Sequence, residues 1–263
     1  MKIFRNICLG LAAFVVGAAC LFHFWAAPLY AVPILMYHSF DTPAGKGNLL
    51  SVSPEHFEQQ MAFLKNNGYH VITLNELTDG LKAGRKFPHN TVVITIDDGY
   101  QNNYTYAYPV LKKYGFPATI FIATNLMDLN DAFLTWNEVL EMAHHGVDFG
   151  GHTKNHVYLP SITDKAVLWD EIAGSKAMIE KQAGVPAEYF CYPTGGFTPE
   201  IKAMVQKAGY KGACTTNRGY DLLNRTDFYE MDRVSVRNTD LGLKFANKLS
   251  GYYNLLRKGK PGA

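Results

Sequence analysis

From residue 33 to residue 236 the sequence alternates short apolar runs with stretches of helical periodicity, and the connections are short. The runs fall at residues 33–37, 71–74, 92–96, 118–123, 147–150, 189–192, 212–215 and 234–236. Helix signals lie between most of them. Ser53 is placed to cap a helix with Pro54 at its first position, Phe57, Met61 and Leu64 on one face, and Gly68 past its end. Thr135 and Glu138 have the spacing of a capping box, and Thr198 before Pro199 opens another helix that ends at Gly209. A strand that returns through a helix lies parallel to its predecessor, so this order predicts a parallel sheet covered by helices, closed as a barrel. No repeat, low-complexity tract or linker divides it.

Composition excludes several classes. Of 263 residues, 48% are hydrophobic and 18% charged, which argues against a disordered, collagen-like or polytopic membrane chain. No Asp, Glu, Lys or Arg occurs between Arg5 and Asp41. Lys2 and Arg5 precede that gap, so the rest of the chain carries 25 − 2 = 23 basic residues against 23 acidic ones. A neutral domain has no electrostatic reason to bind a polyanion, and a nucleic-acid partner is not expected. Within the gap, residues 7–25 are apolar on every face and long enough to match a bilayer core. The two basic residues in front favour a cytoplasmic N-terminus with the rest exported. Residues 1–31 are thus read as an uncleaved transmembrane anchor, with a cleaved signal as the alternative. Residues 32–250 form the domain, and residues 251–263, with Arg257, Lys258 and Lys260, a short basic tail. Export permits a disulfide between Cys191 and Cys214, although buried thiols are the default.

Three polar clusters follow apolar runs directly: Asp97-Asp98-Gly99, His152 to His156, and Pro193-Thr194-Gly195-Gly196. In a parallel barrel all three emerge at the carboxyl rim, where such folds build active sites. Two imidazoles and a carboxylate bind a divalent cation on one face and leave the other open. A second carboxylate beside the first is free to take a proton from water whose pKa the metal lowers. Non-haem iron oxygenases share the two-His, one-carboxylate set, so an oxidoreductase stands as an alternative.

Thr95-Ile96-Asp97-Asp98-Gly99 and the His152–His156 pair resemble the first two motifs of the polysaccharide deacetylases, carbohydrate esterase family 4 with the NodB homology domain. Met36-Tyr37-His38, Leu134-Thr135-Trp136 and Phe190-Cys191-Tyr192-Pro193-Thr194-Gly195 extend the resemblance. It implies a distorted (β/α) barrel and a metal-dependent hydrolase, with zinc the expected ion, that removes acetyl groups from a polysaccharide. By position, Asp97 is then the general base, and Asp98, His152 and His156 the metal ligands. The backbone N–H of Thr194 helps hold the oxyanion. Tyr192 and Pro193 are candidate substrate contacts, and Trp136 either lines the substrate groove or anchors its helix. The pattern is closer to exported deacetylases of exopolysaccharide such as poly-N-acetylglucosamine than to rhizobial or chitin enzymes.

The chain also departs from that pattern. Cys191 stands where many members have an Arg that orients the base, and Arg233 is a candidate substitute. No His follows His156, so the usual late general acid is missing. His38, directly after the run at 33–37, is the candidate to donate the proton or orient the donor; a rim histidine that only binds a loop is the plainer reading. These departures keep open a non-catalytic glycan-binding protein. Tyr100, Tyr104, Tyr106 and Tyr108 suggest a sugar-stacking surface or simple packing over a helix. No protein partner is indicated.

Overall fold

Each of the eight apolar runs overlaps one strand of a single parallel sheet. The strands are β1 (Ile34–Tyr37), β2 (His70–Ile72), β3 (Thr91–Asp98), β4 (Ala118–Ile122), β5 (Val147–Gly151), β6 (Tyr189–Cys191), β7 (Gly212–Cys214) and β8 (Val234–Ser235). The helices are α1 (Lys2–Leu21), α2 (Pro54–Asn66), α3 (Leu74–Lys82), α4 (Tyr108–Tyr114), α5 (Trp136–His144), α6 (Lys165–Trp169), α7 (Ser175–Ala183), α8 (Pro199–Lys207) and α9 (Leu243–Lys248). This computed structural model describes residues 2–21, 30–41, 49–216 and 227–253; the basic tail from residue 254 on, with its three basic residues, lies outside the described residues. The helix starts read from sequence are in place. Ser53 and Thr198 cap α2 and α8, and Thr135 with Glu138 forms a complete capping box on α5.

The strand order is β7-β6-β5-β4-β3-β1-β8, with β2 paired to the first three residues of β3. The expected closed barrel is therefore a curled, open sheet. β7 has three residues and β8 two, too few to build a ladder across the seam. The seam is spanned instead by one segment of chain: Met231 bridges Cys214, and the same segment then enters β8 beside β1.

Strand alternation sorts the side chains into two apolar bodies. Leu35, Tyr37, Val92, Ile94, Ile96, Ile120, Ile122 and Phe190 face the helices, where they meet Phe57, Met61, Leu111, Val139 and Ile179. Ile34, Val93, Phe121, Tyr189, Cys191, Cys214 and Met231 point into the curl, joined by Leu74 and Leu77 of α3. Cys191 and Cys214 are register neighbours on β6 and β7, and neither is in a disulfide.

The anchor reading is not reproduced as drawn. Among the described residues no helix is long and apolar enough to cross a membrane. α1 begins at Lys2 and takes Arg5 and Asn6 into its first turns, so its apolar part, residues 7–21, rises only about 22 Å against a bilayer core of roughly 30 Å. Residues 22–25, which complete the apolar stretch, lie outside the described residues. Phe4, Leu11, Phe14, Val15 and Val16 of α1 are exposed.

β5 ends in Gly150-Gly151 because the curl brings its neighbours close. A Cβ on Gly150 would stand 2.6 Å from the Phe121 ring and 2.6 Å from the Tyr189 carbonyl oxygen, so the backbones of β5 and β6 would have to part. Gly150→Ala should therefore lower unfolding free energy by about 1–3 kcal/mol, read as a reduced urea midpoint at unchanged slope.

Candidate active site

β1 and β3 run in register, with Met36 beside Thr95 and Tyr37 beside Ile96. Ile34, Met36 and His38 therefore share the inner face with Val93, Thr95 and Asp97. β3 does not stop before the acidic pair, as its apolar run suggested. Its last two residues are Asp97 and Asp98, held in the ladder opposite Phe121 and Ile122 of β4. In a regular strand two consecutive side chains point to opposite faces. Asp98 escapes that rule because its φ is +76°, a left-handed conformation costly for a non-glycine residue. Four of the five described non-glycine residues with positive φ, namely Asp98, Thr153, His156 and Thr194, belong to the three rim clusters. The backbone strain of the fold is concentrated where the polar residues converge.

Two sub-sites result. In the first, Asp98 Oδ1 lies 3.4 Å from His152 Nε2 and 3.2 Å from His156 Nε2. Neither ring N–H is aligned to donate, and this buried oxygen has no hydrogen-bond partner. His152 Nδ1 is 2.7 Å from the Cys191 carbonyl oxygen, an acceptor only, so Nδ1 carries a proton, and in the neutral ring Nε2 is the nitrogen left to bind an ion. Lone pairs converging on an orphaned carboxylate oxygen leave a position that suits a cation. The charge balance agrees. Burial opposes a charged imidazole, yet contacts with Cys191, Asp98 and Asp97 raise His152 to about 10. The hydrogen-bonding capacity and charge of Asp98 raise His156 as well. Groups that gather protons this strongly exchange them for a divalent ion. Cys191, although near Asp97 and His152, has its sulfur engaged by Arg233 Nη2 at 3.0 Å, and burial pushes its thiol up to about 11.

The second sub-site is centred on Asp97, which is 2% exposed. Arg233, at the seam just before β8, grips it with both ends of its guanidinium: Nη1 donates to Oδ1 at 2.7 Å and Nη2 to Oδ2 at 2.6 Å. Burial alone would raise the Asp97 carboxyl, but the Arg233 charge and hydrogen bonds outweigh it and hold the group below the usual carboxylate range. His38 Nε2 stands 3.7 Å from Asp97 Oδ2, and burial lowers its pKa, so the imidazole is neutral at pH 7.

With this geometry in place the chain was compared with known proteins. It is 37% identical over 205 residues to a protein of Bacillus subtilis (strain 168) named as a polysaccharide deacetylase, YxkH, spanning 78% of this chain and 71% of that one. The chain belongs to the polysaccharide deacetylases. The family profile described as polysaccharide deacetylase matches residues 84–213, a stretch that contains Asp97, Asp98, His152 and His156 but neither His38 nor Arg233. The structure of the Streptococcus pyogenes deacetylase PplD in complex with acetate superposes with a TM-score of 0.76 at 29% identity, covering 83% of this chain and 97% of that one. The poly-beta-1,6-N-acetyl-D-glucosamine N-deacetylase of Staphylococcus aureus (strain MSSA476) is 30% identical over 193 residues, covering 68% of this chain and 66% of its own.

Of the residues singled out from sequence, the fold of this deacetylase brings together Asp97, Asp98, His38, His152, His156 and Arg233. Thr194 is exposed on the third rim loop with φ +55°, and its N–H takes no part in the turn bonds from Gly195 to Tyr192 and from Gly196 to Pro193. Tyr192 and Pro193 correct the substrate-contact expectation, for both are buried. Tyr192 follows the inward-facing Cys191, so alternation turns it toward the helices, where it stacks on Phe197 and donates to the Tyr229 carbonyl. Trp136 packs half-buried against the helix-side core, and none of its hydrogen bonds or ring contacts reaches the cluster. Tyr104 and Tyr108 stack over α4; Tyr100 alone of the four stands beside Asp98, its ring against Phe133.

Sequence reasoning missed Glu171. It is 5% exposed and accepts from the backbone N–H groups of Lys154 (2.8 Å) and Asn155 (3.0 Å), and from the Asn155 amide. It thereby holds the turn between His152 and His156. Its only sequence signal was an acidic residue in an apolar helical stretch.

Because the folded pKa of Asp97 lies below the value near 4 of the unfolded chain, the ion pair stabilises the protein above about pH 4 and is lost as pH falls through the folded value. The urea midpoint of the wild type should drop steeply with acidification. Asp97→Asn/Arg233→Met, which removes both charges, should show a shallower drop; equal slopes would mean the pair adds no pH-dependent stability.

Proposed function

We propose that this polysaccharide deacetylase removes N-acetyl groups from a poly-N-acetylglucosamine-type exopolysaccharide, using a divalent metal ion, with zinc as the ion in the cell. The observation that carries the reading is the pairing of the orphaned Asp98 oxygen with two imidazoles directly beside a second, ionised and clamped carboxylate. The name of the Staphylococcus aureus relative supports the choice of polymer. Three protein ligands of this kind with an open side favour Zn²⁺.

Asp98, His152 and His156 hold the ion, which when bound supplies Lewis acidity to the acetyl carbonyl and to water. Asp97 accepts the proton of the attacking water. Arg233 keeps it ionised and fixed in orientation, so that little reorganisation accompanies the transfer. His38, neutral and 3.7 Å away, is placed to receive that proton and hand it to the departing nitrogen, which leaves poorly unless protonated. The Thr194 N–H donates to the oxyanion that attack creates, a type of contact whose loss costs about 10²–10³ in rate. On this reading Arg233 and His38 do the work of the missing motif arginine and the missing late histidine, the two gaps that favoured a non-catalytic protein.

Acetate release from β-1,6-linked N-acetylglucosamine oligomers tests the reading. Asp97→Asn should lower kcat by roughly 10²–10⁴ while metal content stays at one ion per chain, whereas Asp98→Asn and His152→Ala should lose metal and activity together. Full activity after chelation, or equal metal loss in the two Asp variants, would overturn these roles.

We further propose that the domain works outside the cytoplasmic membrane, carried there by the N-terminal segment and attached through it. Support comes from Lys2 and Arg5 preceding an apolar stretch and from the exposed apolar side chains of α1. Protease added to spheroplasts should digest the domain while cytoplasmic controls survive; protection would reverse the topology.

A further inference from the structure

His38 stands one residue beyond the last register pair of β1 with β3, Tyr37 beside Ile96. Its carbonyl oxygen accepts a hydrogen bond from Asn103 Nδ2 at 2.9 Å. Asn103 is fully buried and opens a π-helical turn, Asn103–Ala107, between the end of β3 and α4. Such turns insert an extra residue into a helix and recur at functional sites. Here Asn103 and Ala107 face inward while Thr105 and Tyr106 are exposed. The same amide nitrogen also donates to Asn102 Oδ1 at 3.3 Å, so both partners are acceptors and the orientation of the amide is determined. The other end, Asn103 Oδ1, is buried with no partner. A buried amide with an orphan oxygen is a costly way to fill a core position, and an apolar side chain would avoid that cost. Stability alone does not account for this residue.

We propose that Asn103 is a positioning residue that fixes His38 over Asp97. The catalytic carboxylates end β3, and the chain then turns through Gly99 into the helix that carries Asn103. The amide thus ties the loop bearing His38 back to the element bearing Asp97 and holds the 3.7 Å approach of Nε2 to Oδ2. This inference rests on the role given to His38 above.

The test compares the full chain with Asn103→Ala, Asn103→Asp, His38→Gln and the double variant His38→Gln/Asn103→Ala, reading kcat and KM for acetate release, bound metal and Tm. Asn103→Asp keeps the size of the side chain but removes its donors, and it serves where Asn103→Ala folds poorly. Asn103→Ala and Asn103→Asp should lower kcat about 10–100-fold, with KM and metal content little changed. The double variant should be no slower than His38→Gln, because a residue acting through His38 has nothing left to position. Wild-type kcat in both Asn103 variants, or losses that multiply in the double variant, would overturn the inference while leaving His38 in place. Wild-type kcat in His38→Gln would overturn the role of His38 and this inference with it.

Discussion

A guanidinium sealed inside a protein must have every N–H met, and Arg233 meets all five within the curl of the sheet. Nε donates to the Thr215 carbonyl, Nη1 to Thr95 Oγ1 and Asp97 Oδ1, and Nη2 to Asp97 Oδ2 and Cys191 Sγ. Phe121 lies against its charge, 5.7 Å from ring centroid to the guanidinium carbon. One side chain from the seam therefore touches β3, β4, β6 and the end of β7. Removing one partner of such a buried pair costs about 3–5 kcal/mol, because the other charge is left without compensation. The link across the open seam and the ionised state of Asp97 depend on the same contact.

Around that contact the site divides its charges. Asp97 is paired with a fixed cation that keeps it ionised. Asp98, one residue on, has no fixed cation and faces two imidazoles instead. Adjacent carboxylates in one strand reach such different surroundings only because the backbone at Asp98 turns left-handed. Cys191 contributes through its size and its weak acceptor sulfur: a larger side chain at that position would compete with Arg233 for the same interior volume.

How far the sequence was legible differs from residue to residue. The eight strands and the starts of α2, α5 and α8 were readable because hydrophobic runs and cap residues act over a few neighbours. The rim residues were readable because each cluster follows its strand directly. Tyr192 was misplaced for a local reason, that a contiguous motif does not reveal which of its members alternation turns toward the helices. Glu171 and Asn103 were invisible for a non-local one. Each is an ordinary polar residue in a helical stretch, and its meaning lies in a loop distant in sequence.

By itself the sequence determined a parallel α/β order, a metal-type pair of histidines and a doubled aspartate at one rim, since these depend on periodicity, spacing and residue chemistry alone. Only the tertiary structure decided that the barrel stays open at two short strands and that Arg233 clamps Asp97 across 136 residues of chain. It also decided that His38 completes the cluster from the far end of the domain. Those outcomes follow from how the sheet curls, and curl is set by packing across many strands at once; no segment of the chain encodes it alone.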